Sequence, residues 1–336
     1  SASRTAALSA GWAPTFQLKT INTGLAESFL DRWASPLDFS IARPPCVADY
    51  TNFLKQVKHS APGKDGLHYC AWKACGEVGA YTLFLVGQHM LSGLKMHIGF
   101  NDSVMLFTPK GDDPLDCVEV TRAAEDTRPL ALKNSDNKIV GGVLNFVCKP
   151  VMAKSTNKLQ RGFVPHRQFI ENVLDLDTDA RIFGMMGLSH GDPVLAFWDF
   201  AAAFPSVAHQ WLFRVLAARG APAAFIHLVE AMYDFNGAFV HSDGGMSFLF
   251  WILAGVLQGC PLSGMLFAIC MDPFLEKIEC EVCDAELGFV RACADDVGAA
   301  LKDISSLRVI KTTFDIAEEV ANLRLKPAKC VLIPVS

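Results

Sequence analysis

Apolar positions in the second half of the chain fall into runs whose length and spacing separate strands from helices. Val194-Leu195-Ala196-Phe197-Trp198-Asp199-Phe200 is a continuous apolar run of strand length with one carboxylate at its end, and helical spacing follows over residues 211–218. A carboxylate buried at that point requires a partner. Residues 238–241 and 246–253 read as strands around Ser242-Asp243-Gly244-Gly245, which has the chemistry of a hairpin turn. Residues 255–263 form a glycine-punctuated loop that leads into an apolar helix over 265–275. Residues 289–294 and 297–301 are two small-residue strands joined across Asp295-Asp296, and a helix and a strand over 329–335 close the chain.

The first half is less sharply patterned. Residues 1–45 are mixed in character and end at Arg43-Pro44-Pro45, a boundary signal because the residue before a proline avoids the helical region. Ala61-Pro62-Gly63-Lys64-Asp65-Gly66 is a turn-rich loop, and the apolar spacing over 71–94 suits helices. A short strand over 104–107 is closed by Pro109-Lys110-Gly111. Residues 128–132 read as a second extended segment and 139–151 as a largely buried helix.

With 336 residues, 51% of them hydrophobic and only 19% charged, the chain is long and apolar enough for two lobes with separate cores. The stretch over 246–275 is the most apolar, but Gln258, Gly259, Pro261 and Ser263 break it into segments too short for a bilayer. The chain opens on Ser and shows no secretory leader, which reads as a piece of something longer. Eleven cysteines without a regular framework fit a reducing compartment. Only Cys280 and Cys283 form C-x-x-C, and no second pair at zinc-ligand spacing follows. A net charge of −5 counts against nucleic-acid binding, although Lys55, Lys58, Lys64, Lys73, Lys149, Lys154, Lys158, Arg161 and Arg167 concentrate positive charge in the first half.

The candidate chemistry lies in the carboxylates. Adjacent acids on a tight hairpin raise each other's pKa, and a divalent cation resolves the conflict. If Asp199 ends the neighbouring strand, three carboxylates converge into the oxygen-rich surroundings that Mg²⁺ takes. By itself an Asp-Asp pair is more often a solvated turn.

The residues around these acids resemble the polymerase motifs of reverse transcriptases. Phe197-Trp198-Asp199-Phe200-Ala201-Ala202-Ala203-Phe204-Pro205-Ser206-Val207 resembles motif A, Gly255-Val256-Leu257-Gln258-Gly259-Cys260-Pro261-Leu262-Ser263 is similar to motif B, and Ala294-Asp295-Asp296 matches the core of motif C. Upstream, Ala61-Pro62-Gly63-Lys64-Asp65-Gly66, Arg128-Pro129-Leu130 and Gln160-Arg161-Gly162-Phe163-Val164-Pro165-His166-Arg167 look like the fingers blocks of the non-LTR, LINE-like retrotransposon branch. The six motifs stand in the family's order and cover roughly residues 50–336.

The resemblance implies that Asp199 and Asp295 bind two Mg²⁺ ions, for which Mn²⁺ can substitute, with Asp296 assisting and the Phe200 carbonyl coordinating one ion. Phe204, five residues after Asp199, then sits beneath the incoming sugar, where an aromatic ring excludes a ribose 2′-hydroxyl. An RNA-dependent RNA polymerase is expected to carry an acid there and Gly-Asp-Asp in motif C, so Phe204 and Ala294 point to DNA synthesis. Gln258 and Gly259 line the nucleotide site, Lys110 and Arg128 hold the triphosphate, Arg167 contacts template backbone, and Lys329, or else Lys326, protonates the leaving pyrophosphate. Four positions depart from the family pattern. Cys293 stands where an aromatic is usual, Ala202 replaces a Lys, Pro205 replaces an acid, and Gly264 replaces the proline of Ser-Pro.

The expectation is an α+β right-hand polymerase fold: an N-terminal extension over 1–45, helical fingers over 46–190 and a palm over 191–336. The two lobes interleave, the palm has a ferredoxin/RRM-like antiparallel sheet, and the thumb is absent. The expected function is RNA-directed DNA polymerisation from a primer 3′-hydroxyl, with an RNA template, a DNA primer and dNTPs as partners. The setting is a longer polyprotein with an endonuclease or other domains, acting in the nucleus. Two alternatives stay open: a catalytically silent nucleic-acid-binding module, and a group II intron-type reverse transcriptase.

Overall fold

The computed structural model describes residues 2–118, 120–186, 191–242 and 244–335. The fold is mixed α/β, with eight strands among the described residues: β1 (Ser103–Pro109), β2 (Thr127–Lys133), β3 (Val194–Trp198), β4 (Gly237–Ser242), β5 (Gly245–Trp251), β6 (Gly288–Cys293), β7 (Asp296–Leu301) and β8 (Val331–Pro334). They form two four-stranded sheets, ordered β2-β1-β4-β5 and β6-β7-β3-β8, one in each of two compact units.

The first unit comprises Ser1–Leu18, Arg43–Val147 and Pro222–Ser263. Its sheet is mixed: β1 runs antiparallel to β2 and parallel to β4, and β4–β5 is a hairpin with an irregularity between Ala238 and Phe239. Asp243, in the hairpin turn expected from the sequence, lies outside the described residues. The helix Ala2–Phe16, which the sequence pattern did not announce, packs on β5. Ser9 Oγ donates to the carbonyl of Leu249, Trp12 Nε1 donates to the carbonyl of Ala124, and the Phe16 ring stacks on Phe250 with centroids 5.3 Å apart. The start of the chain is thus an integral wall of this unit. Two helices, Tyr69–Ala74 and Gly76–Leu91, occupy the expected helical stretch.

The second unit comprises Lys19–Ala42, Cys148–Ala221 and Gly264–Ser336. Its sheet is wholly antiparallel. The two inner strands carry the sequence's apolar runs: in β7 only Asp296 is exposed, and in β3 Val194, Ala196 and Trp198 are buried on one face. The helix Phe169–Met186 packs on β6 and β7. Beneath the unit's helices, Arg219 and Asp272 form an ion pair with no exposure on either side chain.

Two boundaries differ from the sequence pattern. The last strand is confined to Val331–Pro334, because Pro327–Lys329 is a single 3₁₀ turn in which Lys329 N donates to the Lys326 carbonyl and Cys330 N to the Pro327 carbonyl, which takes both N–H groups from a ladder. The apolar helix continues to Ile278, through Pro273. Among the described residues no helix is long and apolar enough to cross a membrane.

Candidate active site

Two neighbouring strands present the acids. In the β6–β7 hairpin Cys293 pairs with Asp296, so Ala294 and Asp295 are the two central turn residues. Positive φ at the first central position, here 58° at Ala294, belongs to the tight turns whose twist matches that of the flanking strands. The register Trp198↔Val297 between β3 and β7 brings Asp199, one residue past β3, level with Asp296, one residue before Val297. Beyond β3 the chain still pairs: Lys326 N donates to the Asp199 carbonyl and Ala201 N to the Arg324 carbonyl, each at 2.8 Å, around a bridge between Phe200 and Leu325. These two bonds fall on either side of Phe200, leaving its carbonyl outside them.

The electrostatics follow from that layout. Burial, and then the charges of Asp296 and Asp199, push the Asp295 carboxyl up to about 6, against a backbone hydrogen bond that favours its ionised form. Asp296 is raised by burial and then by Asp199. Lys329 faces Asp199, with Nζ 3.8 Å from Oδ2. Among the described residues no three His, Cys, Asp or Glu side chains are gathered closely enough to hold a metal ion as they stand. The donors nevertheless fit Mg²⁺ chemically. All are oxygens, two of the carboxyls resist ionisation because of burial first and their neighbours' charges second, and Mg²⁺ is usually held by one or two carboxylates, with water and substrate phosphate completing its shell.

A residue to which the sequence reading assigned no role braces this hairpin. Gln160 is fully buried; its Oε1 accepts from Ala294 N and Gly162 N, both at 2.7 Å, and its Nε2 donates to the Ala294 carbonyl at 3.2 Å. Its segment also joins the sheet, with Arg161 N donating to the Ala292 carbonyl and Ala292 N to the Leu159 carbonyl. Arg167 is turned onto the same loop and donates to the carbonyls of Thr156, Asn157 and Gln160.

Phe204 lies on the short helix Ala203–Ser206 that follows motif A. Its ring stacks on Phe267, with centroids 4.2 Å apart and planes 10° from parallel, and meets Phe163 at 5.8 Å and 68°.

The other sequence-predicted residues belong to the first unit. Arg128 is exposed on β2 opposite Thr108, and Lys110 follows β1, with Nζ donating to the Glu125 carbonyl. Ala131 N donates to the Gln258 carbonyl at 2.7 Å, and Gly259, at φ 109°, passes so close to β2 that a Cβ would lie 2.3 Å from the Ala131 carbonyl oxygen. Motif B is thereby seated on the strand that carries Arg128.

The register thus sets an acidic hairpin level with a third carboxylate at the end of the adjacent strand. A family model described as "Reverse transcriptase (RNA-dependent DNA polymerase)" matches residues 109–335, and the chain belongs to that family. It is 27% identical over 238 residues to the "Transposon TX1 uncharacterized 149 kDa protein" of Xenopus laevis, covering 66% of this chain and 18% of that protein. It is 26% identical over 288 residues to the "Retrovirus-related Pol polyprotein from type-2 retrotransposable element R2DM" of Drosophila melanogaster, covering 82% of this chain and 25% of that protein. The chain therefore spans a quarter or less of the length of either relative, and its reverse transcriptase domain is of the non-LTR, LINE-like kind.

Proposed function

We propose that this domain extends a DNA primer on an RNA template by two-metal nucleotidyl transfer. The observation that carries the reading is the level placement of Asp199 and the Asp295-Asp296 hairpin at the ends of β3 and β7. Asp199, Asp295 and Asp296, with the Phe200 carbonyl, hold two Mg²⁺ ions, or Mn²⁺ in their place. When bound, such ions lower the charge on an attacking 3′-hydroxyl and on the leaving oxygen.

The rest falls to the chain's own side chains. Lys110 supplies a point charge and Arg128 a bidentate fork for the triphosphate, and Gln258 and Gly259 line the nucleotide site where a bare backbone can approach it. Phe204 stands under the sugar and excludes a 2′-hydroxyl. Lys329, beside Asp199, donates a proton to departing pyrophosphate. Arg167 reaches template phosphate only with the donors that its three carbonyl bonds leave. In this reading the first unit supplies fingers and the second a palm of the ferredoxin/RRM-like kind, with the thumb outside these residues. The domain works in the nucleus within a longer polyprotein that carries an endonuclease or other domains.

The test is primer extension by the full-length protein on an RNA template with a DNA primer, in Mg²⁺ and then Mn²⁺, offering dNTPs and rNTPs separately. Extension with dNTPs that disappears in Asp199→Ala and in Asp295→Ala is expected. Extension with rNTPs instead sinks the role of Phe204, and a folded protein that gives no product leaves a silent nucleic-acid-binding module.

A further inference from the structure

The loop that braces the acidic hairpin ends in an aromatic residue that its own packing does not explain. Phe163 is 60% exposed and sits at φ 60°, a conformation in which a bulky non-glycine residue is unfavourable. Its ring is directed at Phe204. Room for it there exists because residue 264 is glycine. A Cβ at 264 would lie 2.4 Å from Phe163 Cδ1 and 2.5 Å from Cγ, well inside van der Waals contact. Gly264 is also one of the four departures from the reverse transcriptase pattern, where proline is usual. A proline at 264 and this placement of Phe163 exclude each other, so the departure and the three-ring cluster of Phe163, Phe204 and Phe267 are one feature.

We infer that Phe163 is a specificity-determining residue that fixes the ring of Phe204 and so sets how strictly the site rejects a ribose 2′-hydroxyl. A face-to-face stack such as Phe204 on Phe267 resists displacement along the ring normal but opposes sliding in its plane only weakly. A second ring at 68° opposes that sliding. Phe204 can serve as a sharp steric boundary only if it does not yield. The inference rests on the proposed sugar-gating role of Phe204, and the experiment separates the two.

Single-nucleotide incorporation by the full-length protein gives kcat/KM for a dNTP and for the matching rNTP, in the wild type, Phe204→Ala, Phe163→Ala, Gly264→Ala and the Phe163→Ala/Phe204→Ala double variant. Gly264→Ala displaces the Phe163 ring without removing it and carries the same reading should Phe163→Ala fail to fold. Phe204→Ala is expected to lower the dNTP-to-rNTP ratio most. Phe163→Ala and Gly264→Ala are each expected to lower it roughly two- to tenfold, the fold-change corresponding to one aromatic pair, through a rise in the rNTP value. The double variant should match Phe204→Ala alone. A ratio unchanged in both Phe163→Ala and Gly264→Ala while Phe204→Ala lowers it, or additive effects in the double variant, overturns the inference and leaves the gate standing. A ratio unchanged in Phe204→Ala overturns the gate and this inference with it.

Discussion

Gln160 and Ala294 are 134 residues apart in sequence, yet Gln160 holds both backbone polar groups of Ala294, accepting from its N–H at 2.7 Å and donating to its carbonyl at 3.2 Å. Ala294 immediately precedes Asp295 and carries the turn's positive φ. A primary amide is suited to this, since it offers one acceptor and one donor side by side. Gln160→Ala leaves buried backbone groups without partners, at about 1–3 kcal/mol each. It also frees the hairpin, and a misplacement on the order of 1 Å costs about a hundredfold in rate. Single-turnover kinetics should therefore show a fall in kcat that exceeds any rise in dNTP KM, with the Mg²⁺ requirement moved to higher concentration. A change confined to KM would contradict a positioning role.

The hairpin's acids make the metal-free protein sensitive to pH. Asp295 is pushed up to about 6 from 3.8, by burial first and then by its neighbours' charges, so the folded state binds this proton more tightly than the unfolded chain. Its contribution to stability is fully present below the ordinary carboxyl value and is lost as the pH rises through about 6. Asp295→Asn removes the titrating group. In EDTA, its melting temperature relative to wild type should rise between about pH 5 and about pH 7.5, with the variant the more stable at the upper end. Mg²⁺ should stabilise the wild type and leave Asp295→Asn unmoved, by mass action on the folded state. A variant less stable than wild type at the higher pH would refute the argument from burial and neighbouring charge.

Arg219 and Asp272 bind the second unit together from within. The guanidinium, fully buried, donates to Asp272 Oδ2 at 2.6 Å and to the carbonyls of Ser35 and Ser155. Removing one member leaves the other's charge away from water, with only the Glu276 carboxylate, 4.0 Å from the guanidinium, left opposite Arg219 among the described residues. Arg219→Ala and Asp272→Ala should each lower unfolding stability by about 3–5 kcal/mol in chemical denaturation. Replacing both with apolar residues of similar volume, Arg219→Met with Asp272→Leu, should recover part of that loss. A single substitution with an effect under about 1 kcal/mol would mean that water reaches the pair.

The strands around the acids were legible in the sequence, because strand length, apolar continuity and a lone carboxylate coincide over residues 194–200, whereas Asp295-Asp296 stood out only through its resemblance to motif C, such a pair being by itself more often a solvated turn. What escaped was non-local. The helix Ala2–Phe16 is rich in Ala and Ser and has little periodic contrast. Its partner β5 is remote in sequence, since the bond from Ser9 to Leu249 spans 240 positions. The parallel pairing of β1 with β4 leaves no local mark either, and it joins two antiparallel pairs far apart in sequence into one sheet. Gln160 opens a segment that resembles a fingers block, but nothing in its immediate sequence shows that a hairpin more than a hundred residues later depends on it. Gly264 was visible as a departure, but the Phe163 ring that a Cβ there would meet was not.

Motif B offers a test in the first unit that does not depend on the acids. Gly259 has φ 109°, a region that L side chains rarely adopt, and a Cβ there would lie 2.3 Å from the Ala131 carbonyl oxygen. The strand cannot simply yield, because Ala131 N is bonded to the Gln258 carbonyl one residue earlier. Gly259→Ala must therefore either strain the backbone, at about 1–3 kcal/mol, or break the Gln258–Ala131 bond and move the loop. Gly244→Ala is the internal control, since nothing lies within 4 Å of its added Cβ. The control should leave both melting temperature and dNTP KM near wild type. Gly259→Ala should lower the first and, under the proposed function, raise the second, because in that reading the loop that shifts carries Gln258 toward the nucleotide. A Gly259→Ala protein that is destabilised but keeps its dNTP KM would show that the close approach serves the fold alone, and would remove Gly259 from the nucleotide site.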